Sequence, residues 1–148
     1  MTDRLTVLLT NITLASRTGT EIIARDVARG LLARGHTPIV YSTSHGEIAE
    51  EIRGSTIPVV ADLANVRATP DVIHGHHHPE TMTALLQFPG VPAVFFHRGV
   101  DPHYHQPTDL PSNVTPRHLE EAARLAVGLI QEVAQLRSGH PARVATEI

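Results

Sequence analysis

Over residues 5–96, short apolar runs alternate with amphipathic segments. The runs do not alternate strictly between apolar and polar positions, which is typical of strands covered on both faces of a sheet. The segments between them repeat apolar residues at helical spacing and begin at a polar or proline cap. The pattern predicts strands at 5–10, 38–43, 57–60, 71–74 and 91–96, and helices between Thr18 and Gly35, at 47–53 and at 79–87.

This order of elements predicts the topology. Strand, helix and strand at such short spacing imply parallel pairing with right-handed crossovers, and hence an α/β fold with a Rossmann-like, doubly wound parallel sheet. We assign this domain to residues 1–101. A proline-rich loop at 102–115, a long helix at 116–137 and a tail at 138–148 follow it.

The C-terminal helix has a wide apolar face. Thr115 and Pro116 supply a cap and a first-turn proline, and a narrow polar stripe interrupts the apolar residues that follow. A face of that width is usually buried on more than one side. Either the helix packs across the sheet and a neighbouring helix, or it meets another chain and forms a homodimer through residues 116–137.

Composition excludes several kinds of chemistry. The 148 residues contain no Cys, Lys or Trp. There is therefore no disulfide, thiolate zinc site, phosphate-binding lysine or Schiff base. A net charge of −3 at pH 7 gives no basic footprint for nucleic acid. No apolar run approaches the ~20 residues of a membrane-spanning helix and no signal peptide precedes the first strand, so we expect a cytoplasmic protein without a transmembrane segment.

The eleven histidines are the largest pool of groups that titrate near neutral pH. Ligands of an open parallel sheet bind beyond the carboxyl ends of its strands. Three polar features reach that edge: the loop 11–19, the histidine cluster 74–78 and the segment 97–101. We therefore expect a binding site where they meet.

The histidine cluster has one arrangement that suits a metal. His74 and His76 would share a face if the strand continued, and His97, His103 or His105 would then complete a ligand set. The cluster itself contains no Asp or Glu. We predict a cleft lined by histidines, with no metal and no cofactor, and keep a histidine-based metal hydrolase as an alternative.

The loop before the first helix is a second candidate. A helix N terminus preceded by Gly and small polar residues is a generic anion site, and Gly19 would let a ligand approach closely. Thr18 and Glu21 have capping-box spacing, so Glu21 is equally explained as half of a cap, and its carboxylate would repel a phosphate there. The glycine fingerprint of dinucleotide sites is absent.

Four segments in order resemble one family. Thr-Gly-Thr-Glu at 18–21 opens a helix, followed by Val-Ala-Arg-Gly-Leu-Leu-Ala-Arg-Gly-His-Thr-Pro at 27–38. Pro-Asp-Val-Ile-His-Gly-His-His at 70–77 and Pro-Ala-Val-Phe-Phe-His-Arg-Gly at 92–99 come next. Together they are similar to the N-terminal lobe of GT-B glycosyltransferases of the family-four type, over residues 4 to about 101.

The resemblance implies specific roles. In that family the N-terminal lobe mainly binds the acceptor, a second Rossmann-like lobe binds the nucleotide-sugar donor, and transfer typically retains the anomeric configuration without a metal. His97 matches the histidine that approaches the transferred sugar and is the catalytic candidate, although position alone also fits a buried core histidine. The remaining candidates would bind acceptor or phosphate: Thr18, Gly19, Glu21, His76, His77, Arg98 and Asp101.

Two departures from the family shape the functional hypothesis. Thr18 stands where the family usually has the first of paired glycines. The two-glutamate donor motif has no counterpart among the later glutamates, Glu120, Glu121, Glu132 and Glu147. We therefore expect an acceptor-side lobe that transfers a hexosyl group from a nucleotide sugar only when a separate donor-binding lobe completes it. A non-catalytic sugar- or phosphate-binding or dimerisation module is the alternative.

Overall fold

The computed structural model describes residues 4–95 and, beyond them, 102, 103, 106–108, 110, 112, 115–117, 120, 121, 124, 125 and 133. The chain divides into two compact units, Met1–Phe95 and Phe96–Ile148. The finer division at residues 101, 115 and 137 stays a prediction.

The first unit contains a sheet of five parallel strands in the order β3-β2-β1-β4-β5. This arrangement confirms the predicted α/β, Rossmann-like parallel fold. The strands are β1 Thr6–Thr10, β2 Thr37–Tyr41, β3 Val59–Val60, β4 Val72–Gly75 and β5 Ala93–Phe95, and the helices are α1 Gly19–Ala33, α2 Glu47–Gly54 and α3 His78–Gln87.

Both faces of the sheet carry apolar side chains, as the run-like pattern of the strands predicts. Leu8 of β1 lies opposite Ile39 of β2 and Ile73 of β4, and all three pack in one cluster with Ala84 of α3. Since side chains alternate along a strand, Leu9 points to the other face. The helices α1 and α2 contact each other and the sheet, and they bury the residues Ala24, Ala28, Ile48, Ala49 and Ile52.

The ends of the elements follow local signals. Gly35 has a φ of 85° and ends α1, with its N–H donating to Leu32 O at 2.9 Å. This is the left-handed conformation that glycine adopts readily. A short 3-10 turn at Leu63–Asn65, capped by Asp62 accepting from Ala64 N at 2.9 Å, is not expected from the pattern.

In the second unit the described residues Pro116, Arg117, Glu120, Glu121, Arg124, Leu125 and Val133 are helical. Two ion pairs with a spacing of four residues support them. Arg117 pairs with Glu121 at 2.8 Å and Arg124 with Glu120 at 2.6 Å. Among the described residues no helix combines the length and the apolar composition needed to cross a membrane.

Candidate functional site

The direction of the chain across the sheet reverses between β1 and β4. From β1 it moves outward through β2 to β3, and it then returns to β4 and moves the other way to β5. Loops that leave the carboxyl ends of two such strands diverge, and the crevice between them is where open α/β sheets bind ligands. Here the crevice is flanked by the loop 11–18 and by His76 and His77.

The loop after β1 is fastened to the loop after β2. Leu14 N donates to Ser44 O at 2.7 Å, and Gly46 N donates to Leu14 O at 3.2 Å. Glu47 N donates to Ala15 O at 3.0 Å, and a Cβ on Gly46 would stand 2.5 Å from that same oxygen. With Ala49 N also donating to Leu14 O at 3.2 Å, carbonyl groups of the first loop occupy the N terminus of α2.

The N terminus of α1 contains three of the predicted site residues. Thr18 is the N-cap, Gly19 is the first helical residue, and Glu21 is 1% exposed. The expected capping box does not form, because the Thr18 side chain makes no bond to the helix backbone. Its hydroxyl donates to Glu21 Oε2 instead, and Thr20 Oγ1 donates to the same oxygen at 3.4 Å. Glu21 is therefore held by two hydroxyl groups.

His74 and His76 share one face at the end of β4, as their spacing predicts. Their rings stack with centroids 4.7 Å apart. His76 N donates to Thr10 O at 3.2 Å, the bond that closes the pairing of β4 with β1 at Thr10 and Gly75. Burial lowers the pKa of His74, and burial together with repulsion from His74 and His77 lowers the pKa of His76 to about 4. Because a buried site penalises the charged form of an imidazole, His76 is neutral at pH 7.

His77 joins the two loops of the crevice. Its Nδ1 accepts from Ile12 N at 3.4 Å, so the ring proton of a neutral His77 is on Nε2. His77 is also the N-cap of α3, and its carbonyl accepts from Thr81 Oγ1 at 2.6 Å. Thr81 Oγ1 lies 3.0 Å from Thr10 Oγ1 in a buried contact. The end of β1 and the start of α3 are thus one hydrogen-bonded unit.

The structure places five predicted site residues around this crevice. Thr18, Gly19 and Glu21 lie at the start of α1, and His76 and His77 lie between β4 and α3. The other three, His97, Arg98 and Asp101, lie outside the described residues, and their roles stay predictions.

Two buried polar residues at this edge were missed by sequence reasoning. Asn11 is fully buried, its Oδ1 accepts from Ile12 N at 2.9 Å, and its Nδ2 has no partner among the described residues. Glu80 of α3 is also buried, and its Oε2 is likewise unpartnered within the described part of the chain. The signal for Asn11 was its place as the first residue after an apolar strand at the ligand edge.

Within the part of the chain that the structure describes, no group of three or more His, Cys, Asp or Glu side chains could hold a metal ion. The stacked rings of His74 and His76 lie face against face rather than converging on a common point. The described residues therefore give the metal-hydrolase alternative no ligand set.

No protein-family model and no curated protein matches the chain. Among solved structures, the chain is similar to a glycosyltransferase from Rickettsia africae ESF-5, with a TM-score of 0.51 and 18% sequence identity. The similarity covers 67% of this chain and 31% of that protein, so this chain spans less than a third of the enzyme's length. The likeness is one of fold, that of an α/β domain with a parallel sheet.

Proposed function

We propose that the chain is the acceptor-side lobe of a glycosyltransferase of GT-B architecture. It binds a sugar-containing or phosphate-containing acceptor at the carboxyl edge of the sheet. One observation carries the proposal: the loop after β1 and the start of α3 meet at the reversal of strand order, through the bond from Ile12 N to His77 Nδ1. The fold likeness to a solved glycosyltransferase supports it.

In this proposal the chain supplies half of the catalytic machinery. Hexosyl transfer from a nucleotide sugar needs the acceptor hydroxyl held against the anomeric carbon of the donor, and that positioning accounts for a large part of the rate enhancement. The acceptor rests on α1 and on His76 and His77, while a separate donor-binding lobe brings the nucleotide sugar. By resemblance, His97 approaches the transferred sugar, and Arg98 and Asp101 contact the acceptor.

We expect the purified chain alone to catalyse no transfer from a panel of nucleotide sugars to simple glycosides. Product formation is measured by mass spectrometry, with and without a donor-binding lobe produced from a neighbouring reading frame. Turnover that occurs only when the two lobes are mixed would support a split enzyme. Robust transfer by the chain alone would contradict the proposal, and acceptor binding without turnover in the mixture would favour the non-catalytic binding module.

A second experiment tests the location of the acceptor. A Cβ on Gly19 meets no atom within 4 Å, and Gly19 does not have a positive φ, so Gly19→Leu should fold normally while its side chain fills the ligand's approach. We expect acceptor binding to weaken at least tenfold, which is about 1.4 kcal/mol. Binding is measured by calorimetry and folding by circular dichroism.

Gly54→Leu is the matched control. A Cβ on Gly54, like one on Gly19, meets no atom within 4 Å. Gly54 is the last residue of α2, however, and lies at the edge of the sheet opposite to the candidate site. We expect it to bind acceptor like the unmodified chain. Equal effects of the two substitutions would place the acceptor elsewhere.

A further inference from the structure

The backbone of the first turn of α1 suits an anion, but its side chains include a buried carboxylate that does not. Free N–H groups and the helix dipole favour a phosphate at such a helix end. Here the carboxylate of Glu21 is buried in that turn and accepts from Thr18 and Thr20 through Oε2. Its other oxygen, Oε1, has no hydrogen-bond partner among the described residues.

Glu21 determines whether the hydroxyl groups of Thr18 and Thr20 can donate or accept further hydrogen bonds. A threonine hydroxyl has one proton to donate and two lone pairs that accept. Because the protons of Thr18 and Thr20 point to Glu21, these hydroxyls offer acceptors to anything that approaches. Thr18 is exposed, and Gly19 between the two has open space around it. A ligand group that contacts either of these hydroxyls must therefore donate a hydrogen bond to it.

The positive charges next to this turn in sequence are already paired. Arg17 pairs with Glu47 at 3.2 Å and also with Glu51. Arg25 pairs with Glu51 at 2.8 Å and with Asp26 at 2.8 Å. The hydrogen bond from Arg25 lowers the pKa of Glu51, which is therefore ionised at pH 7. Neither arginine is left to offset the charge of a phosphate beside Glu21.

We propose that Thr18, Gly19 and Thr20 form a subsite for uncharged sugar hydroxyl groups, with Glu21 as the positioning residue that excludes phosphate. The inference rests on the proposed function and narrows it: the part of the acceptor that α1 recognises is a neutral sugar ring. A ring hydroxyl donates to Thr18 Oγ1, whose own proton stays on Glu21. Gly19 lets the ring lie against the helix backbone.

The test compares two probe classes on the full chain at pH 7, by isothermal titration calorimetry. The probes are the methyl α-glycosides of glucose, galactose and mannose, and inorganic phosphate. Glu21→Gln removes the charge and presents an amide N–H₂ that frees the threonine protons. We expect its affinity for the preferred glycoside to fall about tenfold and its affinity for phosphate to rise about tenfold, each about 1.4 kcal/mol.

Two further variants separate positioning from a general change of charge or stability. Thr18→Val removes the accepting hydroxyl without altering charge, and α1 keeps its start because Thr18 makes no side-chain cap. It should lose glycoside affinity and gain no phosphate affinity. Glu50→Gln is the control, because Glu50 also lies in the first turn of a helix but is exposed and pairs with Arg53 of its own helix. It should change neither affinity.

The outcomes distinguish this subsite from the function on which it rests. If glycosides bind the unmodified chain and Gly19→Leu blocks them, but Glu21→Gln and Thr18→Val change nothing, the hydroxyl subsite is wrong and the acceptor lobe stands. Tighter binding of phosphate than of every glycoside by the unmodified chain would also overturn the subsite. If neither probe class binds, both proposals fail.

Discussion

Gly75→Ala should lower the free energy of unfolding by about 2–3 kcal/mol, because it overpacks a buried strand end. Gly75 is the last residue of β4, and an added Cβ would stand 2.7 Å from Thr81 Cγ2 and 3.0 Å from Phe95 Cδ2. Thr81 has no freedom to move away, since its hydroxyl donates to His77 O and lies 3.0 Å from Thr10 Oγ1. Displacing it breaks bonds that join β1 to α3.

Urea unfolding followed by circular dichroism measures the change, with Gly54→Ala as the control. A Cβ on Gly54 meets no atom within 4 Å at the end of α2. Replacing a helical Gly by Ala is worth up to about 1 kcal/mol in favour of the folded state. The two glycine substitutions should therefore move the unfolding midpoint in opposite directions. A Gly75→Ala chain as stable as the unmodified one would show that Thr81 is free to rearrange.

Acidification from pH 6.5 towards pH 4 should destabilise the fold through His76. The unfolded chain binds a proton on this histidine near its ordinary pKa of 6.5, whereas in the folded chain burial and the neighbouring histidines hold the pKa at about 4. Between those values the unfolded state binds more protons, so stability falls as pH falls, and the loss is complete below about pH 4. The full effect is at most about 3 kcal/mol.

The comparison is between the unmodified chain and His76→Asn, each unfolded in urea at several pH values between 7 and 4. Removing the titrating ring should flatten the pH dependence in that window. Carboxylates whose pKa is lowered by ion pairs, such as Asp26 and Glu51 beside Arg25, contribute equally to both proteins. Parallel pH profiles for the two chains would contradict this prediction, because they would mean that the pKa of His76 is the same in the folded and unfolded states.

Hydrophobic pattern was enough to predict most of the fold. The five strands and three helices lie within a few residues of their expected positions, because each depends on apolar spacing or on a local stop such as Gly35. The strand predicted at 57–60 is shorter, at Val59–Val60, because it is an edge strand that pairs with β2 alone. The 3-10 turn at Leu63–Asn65 has too few residues for any periodicity to show.

The candidate site was predictable in position and less so in chemistry. The rule for parallel sheets located Gly19, His76 and His77 at the carboxyl edge. It did not show that the Thr18 hydroxyl would turn to Glu21 rather than to the helix backbone. That choice depends on the burial of the carboxylate, and the capping-box spacing is the same in both arrangements. The unpartnered amide of Asn11 is similarly a product of packing.

The bonds from Leu14 and Ala15 to the loop after β2 have a consequence for the thermodynamics of binding. Fixing the backbone of one residue costs about 1–2 kcal/mol of conformational entropy. Since Leu14 is fully buried and hydrogen-bonded on both sides, that loss has already occurred when the chain folds. A ligand arriving beside α1 therefore orders little of this loop, and its affinity is not reduced by the entropy of loop closure.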